Sequence, residues 1–130
     1  MIPLVVDASA LAAVIFQEPG CEGVRARLEG ATVFAPTLLK FELANVAWVK
    51  SRRRPADAAR IIAALTLALD DRSDLSWQDV NMSDVALLAC ATGLTVYDAS
   101  YLFLAGVLGA DLVTLDTQLA AAAGRAEGAV

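Results

Sequence analysis

Strands alternating with helices predict an α/β fold with a mostly parallel sheet, and three observations carry that prediction. Asp7 directly follows an apolar run and directly precedes a helix-favouring segment. Asp116 does the same near the other end of the chain. The last third repeats the pattern most clearly, an extended stretch leading into an aspartate and then a helix, at Thr95–Asp98 and again at Asp111–Asp116. All 130 residues make one domain spanning 1–130, because a split would leave pieces too small for independent cores.

Taken in order, residues 2–6 (Ile-Pro-Leu-Val-Val) form the first extended run, and Ala8 to Phe16 favour a helix ended by Glu18-Pro19-Gly20. Residues 22–29 make a second short helix closed by Gly30. Thr32 to Ala35 is a strand stopped by Pro36, and Thr37 is placed to cap a long helix to about Ser51. Pro55 suits the first turn of the next helix, with Asp57 in its acidic N-terminal turn, and that helix reaches about Leu69. A short strand lies around Leu75–Trp77. Asn81 or Ser83 opens a helix to about Thr92, ended by Gly93. Thr95-Val96-Tyr97 is brief and extended, with Asp98 at its end and a helix over roughly Ala99 to Leu108. Asp111 to Leu115 is a strand, followed by Asp116 and an alanine-rich helix to Ala123; Gly124–Val130 is a small tail.

Composition narrows the chemistry. Hydrophobic residues make up 58% and charged residues 19%, enough for a core and too few charges for disorder. A surface so short of charge suggests that a partner covers part of it. The apolar runs at 61–69 and 102–110 fall far short of the roughly 20 residues a spanning helix needs, and no basic region precedes the apolar N-terminus, so neither a membrane segment nor a signal peptide is expected. Cys21 and Cys90 stand apart without CxxC spacing, as reduced packing residues of a cytoplasmic protein. Histidine is absent. That excludes Ser-His-Asp and Cys-His nucleophiles, histidine acid–base catalysis and the usual zinc sites. Any catalysis must rest on carboxylates, hydroxyls, lysines or a bound ion.

Four carboxylates remain. Asp7, Asp98 and Asp116 each stand where a helix begins, and in open α/β sheets the carboxyl ends of the strands form the ligand crevice. Each aspartate taken singly is explained as an N-cap. Glu42 is harder to explain so, because its same-face neighbours Leu38, Leu39, Val46 and Val49 put it inside an apolar stripe with no basic residue within a turn. A buried carboxylate needs a partner, either a distant base or a shared cation. Four carboxylates without histidine or cysteine suit Mg2+ or Mn2+, and two such ions can drive phosphodiester cleavage. Ser9, Thr114 and Thr117 are candidate supporting hydroxyls, each with a local capping or strand-face alternative. The net charge of −5 opposes nucleic acid, but two divalent cations would bring it to about −1, and Lys50, Arg52, Arg53, Arg54 and Arg60 cluster within eleven positions.

The segments VVDASAL (5–11), FELANV (41–46), TVYDASYLFLA (95–105) and TLDTQL (114–119) resemble the PIN domain, and more narrowly the VapC-like toxins of type II toxin–antitoxin pairs. The resemblance runs from Val5 to Leu119 with all four segments in order. It implies a three-layer α/β/α domain with a four- to five-stranded sheet and an acidic quartet at Asp7, Glu42, Asp98 and Asp116, supported by Ser9. It also implies Mg2+- or Mn2+-dependent endoribonuclease activity, homodimerisation and inhibition by a cognate antitoxin. Two features depart from the family pattern. Glu127–Val130 would be only the stub of a final edge strand, and the Arg52–Arg54 cluster lies on a variable hairpin, so no role carries over to it.

Two other functions compete. A Mg2+-dependent aspartyl-phosphate phosphatase would commonly place a second Asp where Ser9 stands and a lysine after a late strand, and neither is found. A catalytically silent binding module would have no reason to keep all four acids. Tyr97, Tyr101 and Trp48 are candidates for stacking on unpaired RNA bases, against a favoured alternative as core packing. The RNA itself is not legible.

Overall fold

The computed structural model describes residues 2–70 and 73–128. Four strands, β1 (Leu4–Val6), β2 (Val33–Pro36), β3 (Leu75–Gln78) and β4 (Asp111–Val113), form one sheet in the order β3-β2-β1-β4. Every pairing is parallel, with Val5 beside Phe34 on one side and Leu112 on the other. Parallel neighbours require crossovers, and among the described residues six α-helices supply them, α1 (Ala8–Ile15), α2 (Cys21–Leu28), α3 (Leu38–Arg53), α4 (Ala58–Leu69), α5 (Met82–Thr92) and α6 (Val96–Leu108), while α7 (Thr117–Gly128) follows the last strand. The path from β1 through β2 to β3 steps one way along the sheet, and the return from β3 to β4 steps the other. With right-handed crossovers, this reversal sends α1–α4 to one face and α5–α6 to the other, giving three layers. Among the described residues, no single helix is long and apolar enough to cross a membrane.

The reversal places a topological switch point between β1 and β4, where crevices open beyond the strand ends. The core beneath it is continuous: Val5 and Val6 of β1, Leu39 and Leu43 of α3, Val85 of α5 and Leu119 of α7 are all fully buried. The α6 helix, Ala-, Leu- and Tyr-rich on its inner face, packs across β1, β2 and β4.

Several local expectations are corrected. Of Thr95–Tyr97 only Thr95 is extended. Thr95 is the N-cap of α6, its hydroxyl accepting the Asp98 amide at 3.2 Å, so the helix begins at Val96 and Asp98 stands inside its first turn. Thr37 does not cap α3: its backbone is already helical, and its hydroxyl donates to Asp79 Oδ1 at 3.1 Å across the β2–β3 end. The strand expected to reach Leu115 stops at Val113, because the next residues turn to form hydrogen bonds with α1. The α7 helix continues to Gly128, so Glu127 belongs to a helix and not to an edge strand; residues 129–130 of that expected stub lie outside the described residues. Asn81 is the residue that opens α5, with its side-chain Oδ1 accepting the Asp84 amide at 3.1 Å. Of the three aromatics assigned to the core, only Tyr101 is there, at 1% exposure; Tyr97 and Trp48 are 60% and 53% exposed.

Candidate active site

Asp7 leaves β1 at its carboxyl end and caps α1, Oδ1 accepting the Ala10 amide at 3.0 Å. The same oxygen accepts Ser9 Oγ at 2.8 Å, and Oδ2 accepts the Thr114 hydroxyl. At 4% exposure, Asp7 is thus a buried carboxylate whose desolvation is offset by three donors. The hydroxyls carry the network across the switch point. Ser9 Oγ accepts the Leu115 amide at 3.0 Å, and Thr114 Oγ1 accepts the Asp116 amide at 3.0 Å. Ends of β1 and β4 that lie far apart in the chain are tied together at the two aspartates.

Asp116 caps α7, with Oδ1 accepting the amides of Gln118 at 2.9 Å and Leu119 at 3.1 Å. Capping and site geometry are therefore compatible: a cap uses one face of the carboxylate and leaves lone pairs over. Asp98 differs. Its amide is capped by Thr95, but its carboxylate accepts no hydrogen bond among the described residues.

Glu42 is partly buried one turn into α3, as its place in the apolar stripe required. Its partner is Tyr101, whose hydroxyl donates to Oε1 at 2.6 Å. Sequence reasoning looked for a base or a cation and missed this tyrosine. The signal available was spacing, since Tyr101 lies three residues after Asp98 and so shares its face of α6.

Electrostatics join the four acids. Burial raises the Glu42 carboxyl above its ordinary value, the Tyr101 hydrogen bond opposes that, and the charges of Asp98 and Asp7 raise it further. Burial likewise raises Asp98, with Asp116 and then Asp7 adding repulsion. Burial raises the Tyr101 phenol, and its bond to Glu42 adds to the effect, so it stays a protonated donor. The charges of Asp7 and Asp98 thus reach Glu42, and those of Asp7 and Asp116 reach Asp98, which links the four acids through Asp98. As they stand, no three acidic side chains among the described residues are gathered tightly enough to enclose an ion. The donor set nonetheless fits one chemistry: carboxylate and hydroxyl oxygens, repelling one another, with no nitrogen or sulfur ligand, which suits Mg2+ or Mn2+. Ser9 and Thr114 join the acids. Thr117 does not, being exposed and without a side-chain hydrogen bond among the described residues.

A short parallel sheet with helices on both faces and a carboxylate crevice at its switch point defines a PIN-type α/β domain. A family model for the PIN domain matches residues 4–125, and the chain belongs to that family. Over 121 residues it is 37% identical to Ribonuclease VapC3 of Pyrobaculum aerophilum, covering 90% of this chain and 92% of that protein. The crystal structure of PAE2754 from Pyrobaculum aerophilum superposes with a TM-score of 0.76 at 30% identity, covering 93% of this chain and 84% of that one. VapC20 of Mycobacterium tuberculosis, a toxin that cleaves the sarcin-ricin loop, shares the fold with a TM-score of 0.65 at 16% identity, over 92% of this chain and 94% of its own.

Proposed function

We propose that this chain is a divalent-metal-dependent endoribonuclease and the toxin of a type II toxin–antitoxin pair, working in the cytoplasm as a homodimer. One observation carries the reading: Glu42 is raised by the charges of Asp98 and Asp7, and Asp98 by those of Asp116 and Asp7, with no basic side chain among the causes of either shift. The similarity to Ribonuclease VapC3 supports RNA as the substrate.

Each acid has a distinct part. Asp7 is clamped by Ser9, Thr114 and the Ala10 amide, so it offers a fixed ligand edge. Tyr101 holds Glu42 by one oxygen and leaves the other free. Asp116 is oriented by the first turn of α7. Asp98, without a donor of its own, can turn toward whatever cation enters. A bound Mg2+ or Mn2+ would polarise the RNA phosphodiester, lower the pKa of an attacking water and offset the negative charge that forms. The four acids would hold that ion, and its positive charge would offset their own repulsion of the RNA phosphate.

The test is incubation of purified protein with mixed cellular RNA in Mg2+, Mn2+ or EDTA, beside Asp7→Asn, Glu42→Gln, Asp98→Asn and Asp116→Asn. Cleavage is expected in metal only, and lost in each variant while the fold persists. Full activity in two or more of the variants would break the quartet assignment. The antitoxin role is tested by expression in a host lacking a related antitoxin: the wild-type chain is expected to arrest growth, and any quartet variant to leave it unaffected.

A further inference from the structure

A cleft of about 610 Å3 lies between the end of α1 and the α3–α4 hairpin, separate from the acidic crevice. Its walls include the apolar side chains of Ile15, Phe16, Pro19 and Ile61. Around them stand four cations, Lys50, Arg53, Arg54 and Arg60, against two carboxylates, Glu18 and Asp57. In a protein of net charge −5 this is a local inversion of sign. Both carboxylates are already matched: Lys50 Nζ lies 2.6 Å from Glu18 Oε2, and Arg60 lies 3.5 Å from Asp57. Arg53 and Arg54 form no ion pair among the described residues, and both are exposed. The cleft therefore presents two uncompensated guanidinium groups beside an apolar recess, with a volume inside the range of sites for small organic ligands.

That combination suits one ligand class, a nucleotide of a single-stranded RNA. Arginine forks match phosphate oxygens, and Phe16, whose ring carries Lys50 Nζ 5.6 Å from its centroid, adds an apolar wall for the sugar or base edge. The cleft is also placed for it. Phe16 lies nine residues along from Asp7, and Lys50 eight residues from Glu42, so at 1.5 Å per residue both helices set it about 12–14 Å from the acids. The α1–α2 turn that walls it also abuts the acidic site, because Leu115, beside Asp116, packs within 3.0 Å of where a Cβ on Gly20 would stand. A strand a few nucleotides long bridges such a gap.

We infer that Arg53 and Arg54, with the Phe16 recess, form a nucleotide subsite that anchors the RNA strand a short distance from the cleaved bond. This rests on the ribonuclease reading. The experiment is fluorescence anisotropy of a short labelled single-stranded RNA in EDTA across a salt series, with wild type, Arg53→Gln/Arg54→Gln and Arg52→Gln. Arg52 is a charge control, because its guanidinium lies 4.8 Å from the Trp48 ring and it does not line the cleft. Loss of two phosphate contacts is expected to flatten the slope of log K against log salt by about 1.4, at roughly 0.7 per contact for single strands. Arg52→Gln is expected to leave the slope at the wild-type value. An unchanged slope in the double variant, or an equal change in Arg52→Gln, would overturn the subsite. Wild type that cuts RNA while ignoring both arginines refutes the subsite alone; wild type that neither cuts nor binds RNA refutes it together with the ribonuclease reading.

Discussion

Replacing Tyr101 with phenylalanine removes one oxygen atom from a side chain that is otherwise buried and well packed, so no cavity follows. What it removes is the hydrogen bond to Glu42 Oε1 at 2.6 Å. A hydrogen bond to a charged group contributes roughly 1.5–3 kcal/mol. Glu42 is only partly buried, and water will replace part of that, so a loss of about 1.5 kcal/mol at neutral pH is the reasonable expectation. The donor favours the charged form of Glu42 and opposes the burial that raises its pKa. Without it the carboxyl rises further. A proton on Glu42 competes with the cation. The acid limb of the rate–pH profile should therefore move to higher pH, and Mn2+ should bind more weakly on that limb. Cleavage rates from pH 4 to 8, with Mn2+ titrations followed calorimetrically, measure both. A variant with the wild-type pH profile and wild-type Mn2+ affinity would refute the role given to Tyr101, even if its stability fell.

Other consequences follow from the same geometry. Glu42 and Asp98 have raised pKa values in the folded chain, so without metal they contribute stability that is full below the ordinary carboxylate range and is lost as pH rises through their folded values. Melts in EDTA should accordingly lose that contribution above pH 4, Glu42→Gln and Asp98→Asn should flatten the dependence, and a dependence unchanged in both variants would contradict it. Millimolar Mn2+ should raise the melting temperature, by about 2.7 kcal/mol of stability at a hundredfold excess over Kd, and the rise should vanish in the same variants. Gly20 adopts φ +90°, and a Cβ there would meet Leu115 at 3.0 Å, so Gly20→Ala should cost about 1–3 kcal/mol in urea unfolding; a cost near zero would mean the turn relaxes freely. Light scattering at tens of micromolar should give twice 13.6 kDa, and a mass at the monomer value would refute the homodimer.

Much of this protein was legible in its sequence because the signals are short-range. Apolar runs that end in Asp7 and Asp116 announce strand–helix junctions, and Pro55, Asn81 and Gly93 mark helix boundaries through backbone chemistry spanning three or four residues. Glu42 stood out for the same kind of reason, as a carboxylate in an apolar stripe. Where local signals competed, they misled: Val96 and Tyr97 read as extended with Thr95, yet the Thr95 hydroxyl captures the Asp98 amide and the helix begins at Val96. The tertiary structure alone decided what depends on chain-distant neighbours. Tyr101 meets Glu42 across 59 positions and Thr114 meets Asp7 across 107, pairings that follow from how the chain-distant elements pack, although spacing alone does put Tyr101 on the Asp98 face of α6. Tyr97 and Trp48 face solvent because sheet and helices fill the core without them. The cleft exists only because folding brings the α1–α2 turn beside the α3–α4 hairpin, so that arginines of no evident role in the sequence come to line the same recess as Phe16.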